Sequence, residues 1–311
     1  MLINYIKNKT KKIIPRYLIE TFWHLPNAIL ANFVYSFPAK AITTIAVAGT
    51  KGKSTTCHLL MQILEQAGHK VAMISTTTIK VAGEEKLNNV KMTTPSAWHL
   101  QKFYQTAKQA SCTYVILEVS SHALRQHRVW GIPFSTVLLT NLMPDHLEYH
   151  LNAEDYQQSH RALLTPALER LIINGDDPCL DPWKKILAPI ILFHQTSETA
   201  LWLERLKFPL LGKFNFTNAL AAATCALCLG IPREAIKIAL ENPGVIPGRM
   251  ENIDQGQSFK VMVDYAHSPD SLKALFEALK STSPNLSLER RGTNPTPPLS
   301  KGGKEGGSPR T

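Results

Sequence analysis

The stretch from Ile42 to Leu60, ITTIAVAGTKGKSTTCHLL, constrains the fold more than any other part of the chain. A β-branched, apolar run from Ile42 to Val47 leads to Gly49, a Lys-Ser pair stands at Lys53 and Ser54, and helix formers follow. That order predicts a strand, a phosphate-binding loop and a helix. Glycines let the backbone turn tightly, so successive N–H groups and the N-terminus of the next helix converge on an anion. Lys53 then supplies a point charge to the outer phosphates, and the Ser54 hydroxyl is a candidate magnesium ligand. The spacing departs from the general Walker pattern, whose first glycine would fall at Val47, and leaves a compact G-T-K-G-K-S from Gly49 to Ser54. A Gly-rich turn that binds nothing is the competing reading, and the flanking strand and helix signals weigh against it.

Further along, the same alternation recurs. A helix is predicted from Ser54 to Ala67, ended by Gly68, then a buried strand from Val71 to Ser75. A polar, hairpin-like stretch from Gly83 to Lys91 leads to Thr94-Pro95-Ser96, with Ser96 as the cap of the next helix. Tyr114 to Val119 is an apolar strand interrupted by one carboxylate, Glu118. The C-terminal end of a parallel strand is where open α/β sheets place ligand chemistry, although a buried ion pair would also explain a lone Glu there. The strand FSTVLLTNL ends at Asn141, and MPDHLEYH then gathers Asp145, His146, Glu148 and His150, a cluster open to metal ligation, acid–base work or simple solvation. A helix from Tyr156 to Leu171, strands at LIING and Ile191 to Phe193, and a small-residue helix opened by Gly212 and Asn215 and running to Gly230 complete the pattern. The predicted class is α/β, a mostly parallel sheet with helices on both faces.

NPGVIPGR around Asn242 to Gly248 reads as a linker, after which a strand (Phe259 to Val263), the turn DYAHSPD and a helix (Ser271 to Leu279) begin a second α/β unit that stays incomplete. Beyond Ser281 three leucines are the large apolar residues among Pro, Gly, Ser, Lys and Arg, so this tail is expected to be disordered. The expected organisation is a short N-terminal helical segment (1–40), a central domain (41–242), a partial C-terminal domain (243–280) and the tail (281–311).

Composition narrows the function classes. A net charge of +10 favours anionic ligands, but much of the excess lies near the two ends, so nucleic acid is not an expected partner. Five cysteines at irregular spacing argue against a disulfide framework and for a reducing, cytoplasmic setting. Cys225 and Cys228 form a C-x-x-C inside an apolar helical run and read as core thiols. In residues 1–40 a basic cluster (Lys7, Lys9, Lys11, Lys12, Arg16) precedes an aromatic-rich segment broken by Glu20, His24, Pro26 and Asn27, which fits neither a signal peptide nor a membrane span. Two readings remain for it: a helix packed on the nucleotide domain, or a basic amphipathic segment resting on the inner membrane surface.

From Ile42 to about Leu279 the sequence resembles the Mur ligase family, and within it the branch that adds the third peptide residue to the cell-wall precursor. The motifs carrying the resemblance are GTKGKST (Gly49 to Thr55), TTP (Thr93 to Pro95), EVSSHAL with QHR (Glu118 to Arg128), TNLMPDHLEYH (Thr140 to His150), GKFNFTNALAA (Gly212 to Ala222), GRME (Gly248 to Glu251) and DYAHSPD (Asp264 to Asp270). The resemblance implies the family's central ATP-binding domain and an ATP-dependent amide-forming ligase of peptidoglycan synthesis. Such an enzyme activates the carboxylate of a UDP-N-acetylmuramoyl-peptide as an acyl phosphate, which the amine of an amino acid then attacks. It implies ATP held by Gly49, Thr50, Lys51, Gly52, Lys53, Ser54 and Thr55, magnesium (Mg2+) at Ser54, and a second magnesium at Glu118 and His146. Asn215 and Asn218 would lie near the adenine, Arg249 near the phosphates and Asp264 on the ribose, while Thr93, Thr94, Ser120 and Arg128 would hold the UDP-sugar-peptide. A monomer is expected.

The sequence departs from that pattern in three places. Lys51 stands where the family usually has Asn. His160 stands where a carbamylated lysine usually gives magnesium an anionic oxygen, and histidine forms no stable carbamate. Both ends look truncated relative to the family, so ligation by this chain is expected to be very weak or absent. A non-catalytic ATP or UDP-sugar binding remnant is the alternative, and a ligase similar to folylpolyglutamate synthetase a more distant one.

Overall fold

The computed structural model describes residues 16–282. Its framework is an eight-stranded sheet of order β4-β3-β2-β5-β1-β6-β7-β8. The strands are β1 (Thr43–Ala48), β2 (Val71–Ile74), β3 (Thr78–Val81), β4 (Glu84–Leu87), β5 (Tyr114–Val119), β6 (Phe134–Leu139), β7 (Arg170–Asn174) and β8 (Ile190–Phe193). The run β2-β5-β1-β6-β7-β8 is parallel throughout, and the β3–β4 hairpin adds an antiparallel edge. The predicted α/β class and mostly parallel sheet are therefore observed, with the hairpin beginning at Thr78, before the stretch from which it was expected.

Alternation along the strands builds two cores. Ile45 and Val47 of β1, Ile116 of β5, Leu138 of β6 and Ile172 of β7 face one layer of helices. That layer contains α3 (Lys53–Gln66), α8 (Lys213–Cys228) and α9 (Arg233–Glu241). Ala46, Ala48, Leu117, Val137 and Ile173 face the other layer, with Leu100, Phe103 and Tyr104 of α4 (Ala97–Gln109). Burial on both faces explains why these strands read as continuous apolar runs. Ala219, Ala221, Ala222, Ala223 and Ala226 let α8 lie close against its neighbours, and Cys225 is fully buried among them, as expected of a core thiol.

The N-terminal segment forms α1 (Arg16–Ile19), a π-helical turn (Glu20–His24) and α2 (Leu25–Val34). Ala28 and Ala31 pack against Ala97 and Trp98 at the start of α4, and Asn32 donates to the Trp130 carbonyl at 2.8 Å. The reading of a helix packed on the central domain holds for this part, while Lys7, Lys9, Lys11 and Lys12 lie outside the described residues. The tail beyond 282, where disorder was expected, lies outside them too.

Several local expectations are corrected. The helix predicted from Tyr156 to Leu171 is α6 (Ala153–Ser159) plus a 3-10 turn (His160–Leu163), and Arg170 and Leu171 belong to β7. Pro166 is the reason, since a proline inside a helix removes a donor and disfavours α geometry in the preceding residue. Ser96 occupies the N-cap of α4, but its hydroxyl meets His99 Nδ1 at 2.8 Å rather than capping the backbone. After the linker, β9 (Glu251–Ile253) pairs antiparallel with β10 (Val261–Val263), and α10 runs from Pro269–Thr282.

Candidate active site

Three adjacent strands deliver the site. β1 lies between β5 and β6, and the C-terminal ends of all three open on one edge of the sheet, where the chain switches from building leftward to building rightward. Such a switch point leaves a crevice. Here it is a cleft of about 580 Å³ lined by Thr50 to Thr55, Thr76, Thr93, Glu118, Asn141, Asp145, His146, Asn215, Asn218, Arg249 and Asp264.

The loop after β1 depends on two glycines. Gly49 has φ +134°, and a Cβ there would strike Thr140 Oγ1 and the Asn141 carbonyl. Gly52 has φ +82°, and a Cβ there would strike Asn218 Oδ1. The loop is stitched to the end of β6: Lys51 N–H donates to Asn141 Oδ1 at 2.9 Å, and Asn141 Nδ2 and Thr140 Oγ1 both donate to the Lys51 carbonyl, at 3.0 and 2.7 Å. Thr50 Oγ1 donates to the Met143 carbonyl at 2.6 Å and lies 2.9 Å from the Tyr156 hydroxyl. Lys53 folds back, donating to the carbonyls of Gly49 and Thr50 at 2.9 Å. Burial pushes its ammonium pKa down, against the pull of the Glu118 carboxylate.

Glu118, 1% exposed, forms the floor of the cleft. Its Oε2 accepts from Ser54 Oγ at 2.9 Å and from Thr76 N–H at 2.7 Å, and its Oε1 lies 3.0 Å from the Thr76 hydroxyl. Hydroxyls and an amide hold the carboxylate, so the ion-pair explanation of a buried Glu is not what the structure shows. Thr76 in turn reaches Thr93 Oγ1 at 3.0 Å. Ser54, Thr76, Thr93 and Glu118 thus gather oxygen donors around the first turn of α3. This donor set fits magnesium, which binds through one or two protein oxygens plus phosphates and water; Ser54 and Glu118 are the residues that would hold it.

From the far wall, Arg249 Nη2 donates to Ser54 Oγ at 3.1 Å and its guanidinium lies over the Tyr265 ring at 4.9 Å. Asp264 spends both carboxylate oxygens on backbone amides, Met250 N–H at 2.8 Å and Ala266 N–H at 2.7 Å. It thereby fastens the GRM turn to the DYAH turn. Asn215 and Asn218 stand together, Asn218 Nδ2 donating to Asn215 Oδ1 at 3.3 Å.

The remaining predicted residues divide. Of the MPDHLEYH cluster, Asp145 and His146 line the cleft, with His146 at φ +54°, a conformation that costs energy for a residue with a Cβ. Glu148 is exposed beside His146, and His150 is buried against Ser121 Oγ at 3.0 Å. Among the described residues no group of three or more His, Cys, Asp and Glu side chains is arranged to hold a metal. Thr94, Ser120 and Arg128 form one lattice beside the cleft: Thr94 Oγ1 donates to the Glu118 carbonyl at 2.9 Å, Ser120 N–H donates to Thr94 Oγ1 at 3.0 Å, and Arg128 Nη1 donates to the Thr94 carbonyl at 2.6 Å. His160 is fully buried and is not part of the cleft lining. Its Nδ1 pairs with the Tyr156 carbonyl at 2.9 Å, its Nε2 has no partner among the described residues, and burial lowers the imidazole to about 4.

Sequence reasoning missed Thr76, Asn141 and Tyr156 as site residues. The first was within reach: Ile74 pairs with Leu117, so the residues just past β2 must lie beside Glu118.

Residues 47–205, just over half of the chain, match the Mur ligase middle domain. The chain is 37% identical over 276 residues to the UDP-N-acetylmuramoyl-L-alanyl-D-glutamate--2,6-diaminopimelate ligase of Gloeobacter violaceus, covering 81% of this chain and 56% of that one. The namesake from Geobacillus kaustophilus is 33% identical over 282 residues, covering 81% and 57%. A solved structure of a ligase with that same name superimposes with a TM-score of 0.63 at 29% identity, over 77% of this chain and 54% of the other. The apo form of L. casei FPGS shares the fold at a TM-score of 0.69 and 15% identity, over 82% and 75%. The chain spans about half the length of the curated relatives it matches. With the middle-domain match running from the last two residues of β1 past the end of β8 and the cleft built on those strands, the chain belongs to the Mur ligase family.

Proposed function

We propose that this chain carries the ATP site and carboxylate-activating centre of an amide-forming ligase of cell-wall precursor synthesis, working in the cytoplasm. In this reading the γ-phosphoryl group of ATP passes to the carboxylate of a UDP-N-acetylmuramoyl-dipeptide, and the amine of an amino acid displaces phosphate from the acyl phosphate. Phosphorylation is needed because a free carboxylate has no leaving group that departs at neutral pH.

The observation that carries the proposal is the Ser54–Glu118 hydrogen bond on the cleft floor, directly beneath the Gly49–Lys53 loop. Loop amides and Lys53 would cradle the phosphates, Lys53 leaving the carbonyls it now contacts. Magnesium at Ser54 and Glu118 would offset repulsion between the phosphates and the incoming carboxylate. Arg249, which bonds Ser54, would move onto the phosphates. Asn215 and Asn218 would face the adenine and Asp264 the ribose. Thr93, together with the Thr94–Ser120–Arg128 lattice, would bind the UDP-sugar-peptide, and His146 would flank its carboxylate.

One observation favours a second reading, nucleotide binding without ligation. His160 is uncharged at neutral pH, buried, and apart from the cleft lining, so it supplies no anionic oxygen there. Positional isotope exchange in ATP separates the two. With the muramoyl dipeptide and no amino acid, label scrambling between the bridging and non-bridging positions of the β-phosphate supports activation. Calorimetric binding of ATP without scrambling supports the second reading.

A further inference from the structure

A second cavity, of about 530 Å³, begins one turn along α3 from Ser54, where that helix meets the β3–β4 hairpin and the chain leaving α9. It shares no lining residue with the cleft, and the proposed chemistry makes no use of it. A volume of this order holds a small molecule.

Its polar wall is rich in acceptors. His58 lines the cavity, is 1% exposed, and meets Ser75 Oγ through Nε2 at 3.4 Å. The Ser75 hydroxyl donates its one proton to the Thr78 carbonyl at 3.2 Å and accepts from Thr78 N–H at 3.0 Å. Toward His58 it can therefore only accept, which puts the imidazole proton on Nε2 and leaves Nδ1 a lone-pair acceptor without a hydrogen-bond partner among the described residues. Burial holds the imidazole at about 4, so the ring is neutral at pH 7. Gln62 Oε1 is buried and also has no partner among the described residues.

Charge tilts the same way. Two carboxylates on the wall, Glu65 and Glu85, share one cation, Lys80. Lys80 Nζ donates to Glu65 Oε2 at 2.8 Å but stands 3.8 Å from Glu85 Oε2, beyond hydrogen-bond length. The rest of the wall is largely apolar, with Met61, Ile238 and Val245. An anion would meet the carboxylates, and among the described residues no three His, Cys, Asp or Glu side chains are arranged to hold a metal ion. An ammonium group carries three donors and no acceptor, and an alkyl stem suits the apolar side.

We propose that this cavity binds a small alkylammonium ligand, with its cationic head among His58, Gln62, Glu65 and Glu85 and its stem against Met61, Ile238 and Val245. The site is independent of the ligase reading, because it uses none of the residues assigned there.

Calorimetric titration of the full 311-residue chain with pentylammonium chloride tests this, with pentanol as the uncharged analogue of the same length. Pentylammonium is expected to bind at one site, and pentanol at least ~10-fold more weakly. Glu85→Gln keeps the shape of the wall and is expected to lose ~10-fold in pentylammonium affinity while melting as the parent does. Glu204→Gln, which removes an exposed carboxylate outside the cavity, is expected to bind as the parent does. If Glu85→Gln does not fold, Val245→Trp, which fills the cavity from an exposed position, is expected to show the same loss. No binding of pentylammonium overturns the proposal. So does binding that pentanol matches, that Glu85→Gln or Val245→Trp leaves intact, or that Glu204→Gln weakens as much as Glu85→Gln does.

Discussion

Ser54 Oγ donates to Glu118 Oε2 across 2.9 Å, tying the first turn of the helix after β1 to the last residues of β5. A buried carboxylate held this way has a structural role that can be separated from its charge. Glu118→Gln can keep every contact: its Oε1 accepts from Ser54 and Thr76 N–H, and its Nε2 donates to the Thr76 hydroxyl, which turns toward Thr93. Glu118→Leu leaves Ser54 and the Thr76 amide unpaired, at a cost of about 1–3 kcal/mol for each buried group. Urea denaturation is expected to show a large loss for Leu and a small one for Gln.

Gly52 and Gly68 make a matched pair. Their φ values are +82° and +86°, but a Cβ at Gly52 strikes Asn218 whereas one at Gly68 meets open space. Gly68→Ala pays for backbone strain alone, about 1 kcal/mol. Gly52→Ala is expected to cost ~1–3 kcal/mol more and to abolish ATP binding, because the loop or Asn218 must move. Equal melting temperatures for the two variants would count against the close approach.

Stability should fall on acidification through buried imidazoles. Burial holds His160 and His58 at about 4, below the ordinary 6.5. A lowered pKa means that the neutral form is the one the fold accommodates. Its contribution is complete above pH 6.5 and is lost as pH falls from there toward 4. His160→Gln is expected to flatten the pH dependence of unfolding in that window, relative to the parent, and an unchanged slope would show that His160 does not titrate there.

Asn141 anchors the loop through the backbone of Lys51 in both directions. Asn141→Ala is expected to lower ATP affinity by ~10-fold, about 1.4 kcal/mol, through a less ordered loop. Tyr156→Phe removes only one partner of Thr50, which keeps the Met143 carbonyl, so a milder effect of about 0.5–1.5 kcal/mol on stability is expected.

How much of this was legible in the sequence varied with the length scale of the signal. The β1 loop and Glu118 announce themselves locally, by glycines beside a Lys-Ser pair and by one carboxylate in an apolar strand. Thr76 and Asn141 do not, because what makes each functional is a neighbouring strand, and strand order is not local. The DYAHSPD motif was legible, but β9 was not: three half-exposed residues carry too little periodicity to mark a strand. Where the helix reading ran on from Tyr156 to Leu171, Pro166 held the information. His160 stands where the family resemblance placed a magnesium-supporting group, and its burial outside the cleft lining is a tertiary fact that no local sequence signal carries.

The account turns on oxygen ligation at the Ser54–Glu118 pair, and the magnesium dependence of ATP affinity tests it most directly. Calorimetric titration of ATP into the parent chain and into Glu118→Gln, each with and without magnesium, should give tighter binding with the metal in the parent and a loss of most of that gain, at least ~10-fold, in the variant. Equal enhancement by magnesium in both proteins, with the variant folded, would contradict the assignment.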